Sequence, residues 1–258
     1  METGEILELY DRFERREAEC IGCRREVSGT LTRLVGVEPG APDFVVHSKL
    51  SERDADAAIE AELAYFRGLG RDFEWKLYSY DRPADLKERL ARHGFRIGGD
   101  EALMALELDA LPPRLRGLGG HDVRKVVDER GIEDFAAVDA EAWPARGKAW
   151  MEALAATLRS SPARVSAWVA YVEGRPVGAA RVEFPPRSPF AGVWGGATLE
   201  PYRGRGIYSA LLAARAAEAI ARGYRFLAID AGPMSRPIVG RLGFRLLAIS
   251  NPCESPEQ

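Results

Sequence analysis

Four residues, Arg203-Gly204-Arg205-Gly206, stand where a strand-like run at 191–199 gives way to a helix-like run at 207–222. Such a turn is an anion cradle. The first turn of a helix has N–H groups without partners and carries a partial positive charge. Glycines let backbone donors come close to phosphate oxygens, and the two arginines add charge. The following run is almost entirely Ala, Leu and Ile, with Arg215, Glu218 and Arg222 as one narrow polar stripe. That pattern predicts a mostly buried helix with a rigidly held N-terminus.

Several chemistries fit a Gly/Arg turn. The plainest is a tight strand-to-helix connection with solvated arginines. A dinucleotide fingerprint needs a third glycine, where this chain has Ser209. A phosphate loop of the Gly-Lys-Ser/Thr kind is absent. RNA binding through Arg-Gly-Arg-Gly is poorly supported in a chain of net charge −3. Elsewhere, Cys20-Ile-Gly-Cys23 is a lone CxxC, and His47, His93 and His121 lack ligand spacing, so no metal site is expected.

The 258 residues are 46% hydrophobic and 29% charged, which fits a globular chain with a sizeable core. The acidic balance argues against nucleic-acid and anionic-lipid partners. No apolar run approaches the roughly 20 residues of a membrane helix. Met1 to Arg16 has no apolar signal core, and three cysteines fit a reducing compartment. The expectation is a cytoplasmic protein with no membrane partner, either monomer or homodimer.

The turn must be positioned by flanking elements. Leu111-Pro112-Pro113 through Gly119-Gly120 breaks regular structure, giving a first domain at 1–110, a linker at 111–122 and a second domain at 123–258. In the first domain, helices are expected at 5–20, 51–67 and 84–92, with strands at 30–37, 44–50, 73–80 and 103–108. In the second, a strand at 123–127 precedes helices at 132–142 and 148–159. Strands at 165–172 and 176–184 flank a hairpin turn at Glu173-Gly174-Arg175. Then come a strand at 191–199, the helix at 207–222, a strand at 225–231, a short helix at 235–242 and a strand at 244–249. There is an internal repeat: Asp81 lies thirteen residues before Gly94-Phe95-Arg96, and Asp230 thirteen before Gly243-Phe244-Arg245.

With the order of elements over 123–248, the turn resembles the acetyl-CoA signature of the GNAT family of N-acetyltransferases, Arg/Gln-x-x-Gly-x-Gly/Ala. Arg203, Gly206 and Tyr208 take its specified positions, with tyrosine in place of the small residue. The resemblance implies an α/β fold, a mixed-sheet acyl-CoA N-acyltransferase fold, complete in the C-terminal domain. The N-terminal domain looks like a degenerate GNAT-like half, because Val46 to Asp54 has no glycines where the phosphate turn would be. The implied co-substrate is acetyl-CoA, and the implied partner is a small-molecule amine acceptor, acetylated by direct transfer. The pantetheine arm would lie against Ala197, Thr198 and Leu199, with the pyrophosphate on Arg203, Gly204, Arg205, Gly206, Ile207 and Tyr208. Gly195-Gly196 suggests a bulge, or room for a neighbouring tryptophan.

The family often places a tyrosine, which protonates the leaving thiolate, at the position that is Val239 here, and an asparagine where Gly232 stands. Substitutes are Tyr208, Glu183, Asp230 and Ser235. Each has a structural alternative: packing for Tyr208, strand exposure for Glu183, loop bonding for Asp230 and an N-cap for Ser235. Trp143 and Trp150 flank the loop where the family shapes its acceptor pocket. The other reading is an acyl-CoA-binding sensor or scaffold without catalysis.

Overall fold

The computed structural model describes residues 1–257. Mixed parallel and antiparallel sheets with helices form two compact units. One holds Met1–Leu103, Asp230–Arg236 and the chain from Leu246 onward; the other holds Met104–Ile229 and Pro237–Arg245. The linker expected at 111–122 lies within the second unit, where it forms a short 3-10 turn at Pro113–Leu115. Among the described residues no helix is long and apolar enough to cross a membrane.

In the first unit, α1 (Thr3–Tyr10) runs into a π-helical turn at Asp11–Arg16. Strands β1 (Cys23–Ser28), β2 (Leu31–Gly36) and β3 (Phe44–Ser48) form an antiparallel meander. The helix α2 (Ala55–Gly68) crosses over to β4 (Glu74–Tyr78), which pairs parallel to β3. After α3 (Leu86–Arg92) come β5 (Arg96–Ile97) and β6 (Glu101–Glu107), the latter shared with the second unit. The core gathers Ile59, Phe66, Phe73, Trp75 and Phe95, with the Phe66 and Phe73 rings stacked at 4.2 Å. Burying such rings is the main favourable term for a unit of this size.

The second unit holds β7 (Asp122–Lys125), α4 (Glu129–Ala142), α5 (Gly147–Ser160), β8 (Val165–Val172), β9 (Arg175–Glu183), β10 (Phe190–Thr198) and α6 (Ile207–Ala221). Then follow β11 (Phe226–Ala231), α7 (Arg236–Arg241) and β12 (Arg245–Glu254), which the division between units cuts. Strands β7 to β10 are antiparallel, and α6 crosses over to β11, parallel to β10. The β8–β9 turn has only two residues outside the ladder, Glu173 at φ 50° and Gly174 at φ 78°, and Arg175 already pairs Val172. Two positive φ values match the twist of the flanking strands.

The internal repeat reappears as hydrogen-bond geometry. In α3, Phe95 N–H donates to Leu90 and Gly94 N–H to Ala91; in α7, Phe244 N–H donates to Val239 and Gly243 N–H to Gly240. Both glycines are left-handed, at φ 87° and 94°, and both phenylalanines are buried. These are Schellman-type ends, each sealing a short helix with an aromatic ring.

Candidate cofactor and acceptor site

The Gly/Arg turn adopts the conformation an anion cradle needs. Gly204 and Gly206 have φ of 74° and 87°, a region that favours glycine. Gly206 is the N-cap of the fifteen-residue α6, and no side chain caps it. The first-turn N–H groups of Ile207, Tyr208 and Ser209 are therefore left for a ligand. Arg203 through Gly206 are exposed. Each arginine is tethered by one donor, Arg203 Nε to Thr198 O at 3.1 Å and Arg205 Nη2 to Pro201 O at 3.1 Å. Ile207 is buried against the sheet beneath this turn. A Cβ on Gly178 of β9 would meet Ile207 Cγ2, Leu211 Cδ1 and Ala197 O, each at 3.1 Å. Close helix-to-sheet approach thus fixes where the donors point.

Strand β10 supplies an open edge next to the turn. Among the described residues its parallel pairing with β11 covers Phe190–Gly192 against Phe226–Ala228 and no more. On the other side, Ala197 pairs Ala179, Thr198 pairs Gly178, and Leu199 N–H donates to Val177 O at 2.9 Å. Residues 194–198 change from buried to half-buried, and Thr198 Oγ1 is buried without a partner. Amide groups on this stretch can meet an extended, amide-bearing ligand as a strand would.

The pair Gly195-Gly196 is a bulge. The β9–β10 register shifts between Trp194 and Ala197, and Gly195 has φ 56°. The tryptophan alternative belongs to another glycine: the Trp194 indole lies on Gly192, where a Cβ would sit 2.5 Å from Nε1. A Cβ on Gly195 would lie 3.0 Å from Arg181 Nη1, and one on Gly196 would lie 3.1 Å from Tyr208 Cε2.

Of the four catalytic candidates, Tyr208 and Glu183 share the second unit with the turn, whereas Asp230 and Ser235 fall in the first. Burial raises the Tyr208 phenol above its ordinary pKa of 10.0, against the opposing pull of the Arg215 charge. The phenol is therefore a proton donor throughout the neutral range. Glu183 is half-exposed at the end of β9 and pairs with Arg181 at 3.2 Å. Asp230 binds Lys76 at 3.0 Å, in an ion cluster completed by Glu101. Ser235 precedes α7, and its hydroxyl donates to Gly232 O at 3.2 Å. Val239 is fully buried, so that position faces the core.

Four residues that sequence reasoning did not select lie at this site. Arg215 was expected on a polar stripe, yet it is 1% exposed. Its Nε donates to Leu211 O and its Nη1 to Arg181 O, while among the described residues Nη2 has no hydrogen-bond partner. Burial, helped by the Arg181 charge, lowers its pKa to about 10, which still leaves a cation at neutral pH. The rest of the stripe is half-buried and bonded to its neighbours: Glu218 accepts from Lys125, Ser166, Trp168 and Arg222. Burial pushes its carboxyl up, but those donors outweigh burial and hold it below the usual range. Arg146 lies over the Trp143 and Trp150 rings at 4.0 and 4.6 Å, and Arg181 lies over Trp150 at 5.4 Å. His121, from the glycine-rich stretch before β7, comes within 3.1 Å of a Cβ placed on Gly206. In the sequence, the runs of small residues around His121 and Arg215 hid both, because neither has a neighbour of its own kind.

Comparison with known proteins agrees with this geometry. Residues 135–244 match the model of the acetyltransferase (GNAT) family. No curated protein matches the chain in sequence. A GCN5-related N-acetyltransferase from Kribbella flavida superposes over 98% of this chain and 95% of its own, with TM-score 0.70 and 20% identity. A functionally unknown conserved protein from Staphylococcus epidermidis covers 93% and 96%, with TM-score 0.68 and 16% identity. A tandem GNAT protein from the clavulanic acid biosynthesis pathway covers 99% and 95%, with TM-score 0.60 and 15% identity. The fold is that of the GCN5-related N-acetyltransferases, and the stretch matching the family's model carries β10, the Gly/Arg turn and α6.

Proposed function

We propose that the protein is an acetyl-CoA-dependent N-acetyltransferase that acts on a small-molecule amine by direct transfer. One observation carries this reading: the uncapped N-terminus of α6 lies next to a strand edge that has no partner among the described residues, with exposed Arg203 and Arg205 between them. A molecule joining a pyrophosphate to an amide-bearing arm fits both parts. Arg203 and the N–H groups of residues 204–208 hold the phosphates, and the edge at Ala197, Thr198 and Leu199 bonds the arm. When bound, the thioester supplies the acetyl group. The amine nitrogen forms its bond to the carbonyl carbon as the carbon–sulfur bond breaks. Glu183, acting through water, takes the proton of the amine, and Tyr208 donates its own to the departing sulfur.

Residues 1–110 read as a degenerate GNAT-like half. Support comes from the β3–α2–β4 parallel crossover and the sealed end of α3, which repeat β10–α6–β11 and α7. At the start of α2, Ser51 and Asp54 bond one another and Asp56 is in the first turn, so no phosphate is accommodated there.

The test is calorimetric titration with acetyl-CoA, with Arg203→Glu as control. Micromolar binding that the charge reversal abolishes is expected; no binding by the wild type overturns the reading. A second reading, a silent acyl-CoA sensor, is favoured by Val239, which is buried where the family often has a tyrosine. Acceptor-dependent release of free thiol excludes it.

A further inference from the structure

The wall beside the β10 bulge holds more positive charge than its carboxylates balance. Arg146 donates to Asp139 at 2.9 Å, and Arg181 to Glu183 at 3.2 Å. Among the described residues no carboxylate reaches Arg215, whose Nη2 is buried without a partner; Arg181 Nη1 is buried without one too. The Arg181 charge acts on both other guanidiniums and makes each harder to keep protonated. Buried donors left unmet cost free energy, which a ligand that satisfies them can recover.

The arrangement is also stiff and partly open. Trp150 lies under both Arg146 and Arg181, and stacking of this kind fixes guanidinium planes. The Arg146 side chain is 31% exposed and that of Arg181 18%, so outer edges of both remain reachable. Gly195 has no side chain to cover Arg181. Two planar donor forks, held on an aromatic ring, suit a carboxylate, which accepts two parallel N–H bonds. Arg146 contacts Asp139 of α4, Trp143 and Trp150 of α5, whereas the phosphate turn belongs to α6.

We propose that the amine acceptor itself carries a carboxylate, as an amino acid does, and that Arg181 with Arg146 binds it against Trp150. The proposal rests on the transferase reading above. Its neighbour Glu183, paired with Arg181, would then be held near the amine end of the same molecule.

The test measures free thiol released from acetyl-CoA with matched pairs: tryptophan and tryptamine, lysine and cadaverine, valine and isobutylamine. In an accepted pair the amino acid should have kcat/KM at least about tenfold above its decarboxylated partner. Because Arg181 also pairs Glu183, Arg181→Gln should lower kcat/KM for both members of a pair, but by at least about tenfold more for the amino acid than for the plain amine. Arg146→Gln, at the more exposed guanidinium, should act in the same direction, so the idea survives a misfolded Arg181 variant. Equal losses for both members of a pair, a preference for the plain amine, or no turnover by protein that binds acetyl-CoA would each overturn the proposal. So would a plain amine that reacts faster with succinyl-CoA than with acetyl-CoA, since the carboxylate would then belong to the acyl group. Failure of acetyl-CoA to bind at all would fell the transferase reading first, and the two failures are thus told apart.

Discussion

The Tyr208 ring lies against Gly196, where a Cβ would come within 3.1 Å of Cε2, and the same missing Cβ would stand 3.4 Å from Arg215 Nη2. A phenol, a guanidinium and a bulged backbone thus meet at one point of the open strand. Tyr208→Phe keeps the ring and removes the proton. In the proposed mechanism kcat falls about 100-fold while acetyl-CoA affinity stays within about threefold. Because burial raises this phenol above 10.0, it stays protonated below that pH and causes no loss of wild-type kcat there. Unchanged kcat in the variant would strip Tyr208 of its role as acid.

A second expectation concerns the first unit. Arg15 is 1% exposed, and its Nη2 donates to both oxygens of Asp81 at 2.8 and 2.9 Å, with the Tyr78 ring 4.2 Å from its centre. Burial raises the Asp81 carboxyl and the Arg15 charge pulls it back. Arg15→Met leaves that carboxylate buried without a countercharge, with the Tyr78 N–H still donating to it, so stability drops by about 3–5 kcal/mol. Urea unfolding measures this; a loss under about 1 kcal/mol would show that Asp81 finds water instead.

His47 gives the acid side of the stability profile. Burial first, then the charge of Arg15, lowers its pKa from 6.5 to about 4; Arg16 and Lys49 push the same way and Asp11 opposes them. A folded-state pKa below the unfolded one means the unfolded chain takes up the proton first. The stabilisation is complete above pH 6.5 and is lost as pH falls toward 4. The urea midpoint should therefore fall between pH 7 and pH 5, and His47→Gln should flatten that fall. Parallel curves for the two proteins would assign the acid sensitivity to other groups.

Much of this layout is legible in the residues themselves. The β8–β9 hairpin is plain because Glu173-Gly174 can only turn, and α6 because a charged glycine turn precedes an apolar run. Other parts are not. Strand β1 has no counterpart among the expected elements, since half of Cys23–Ser28 is charged, most of it is exposed, and it is held by β2 alone. The last strand is expected to stop at 249, yet β12 continues through Pro252 to Glu254 because it pairs β4, some 175 residues earlier, a partner that no local signal announces. Arg215 misleads for a related reason: charge at helical spacing implies solvent, and nothing local shows that a bulge on β10 takes up its guanidinium.

The unpaired edge of β10 also makes the protein its own reporter. Residues 197–199 pair β9, whereas among the described residues no strand pairs the opposite edge of this stretch. Alternate amides along one short segment should therefore trade hydrogen for deuterium at contrasting rates. Occupation by an arm that bonds the open edge slows the fast set and leaves the slow set alone. That periodic change can be read without knowing which acceptor the protein modifies.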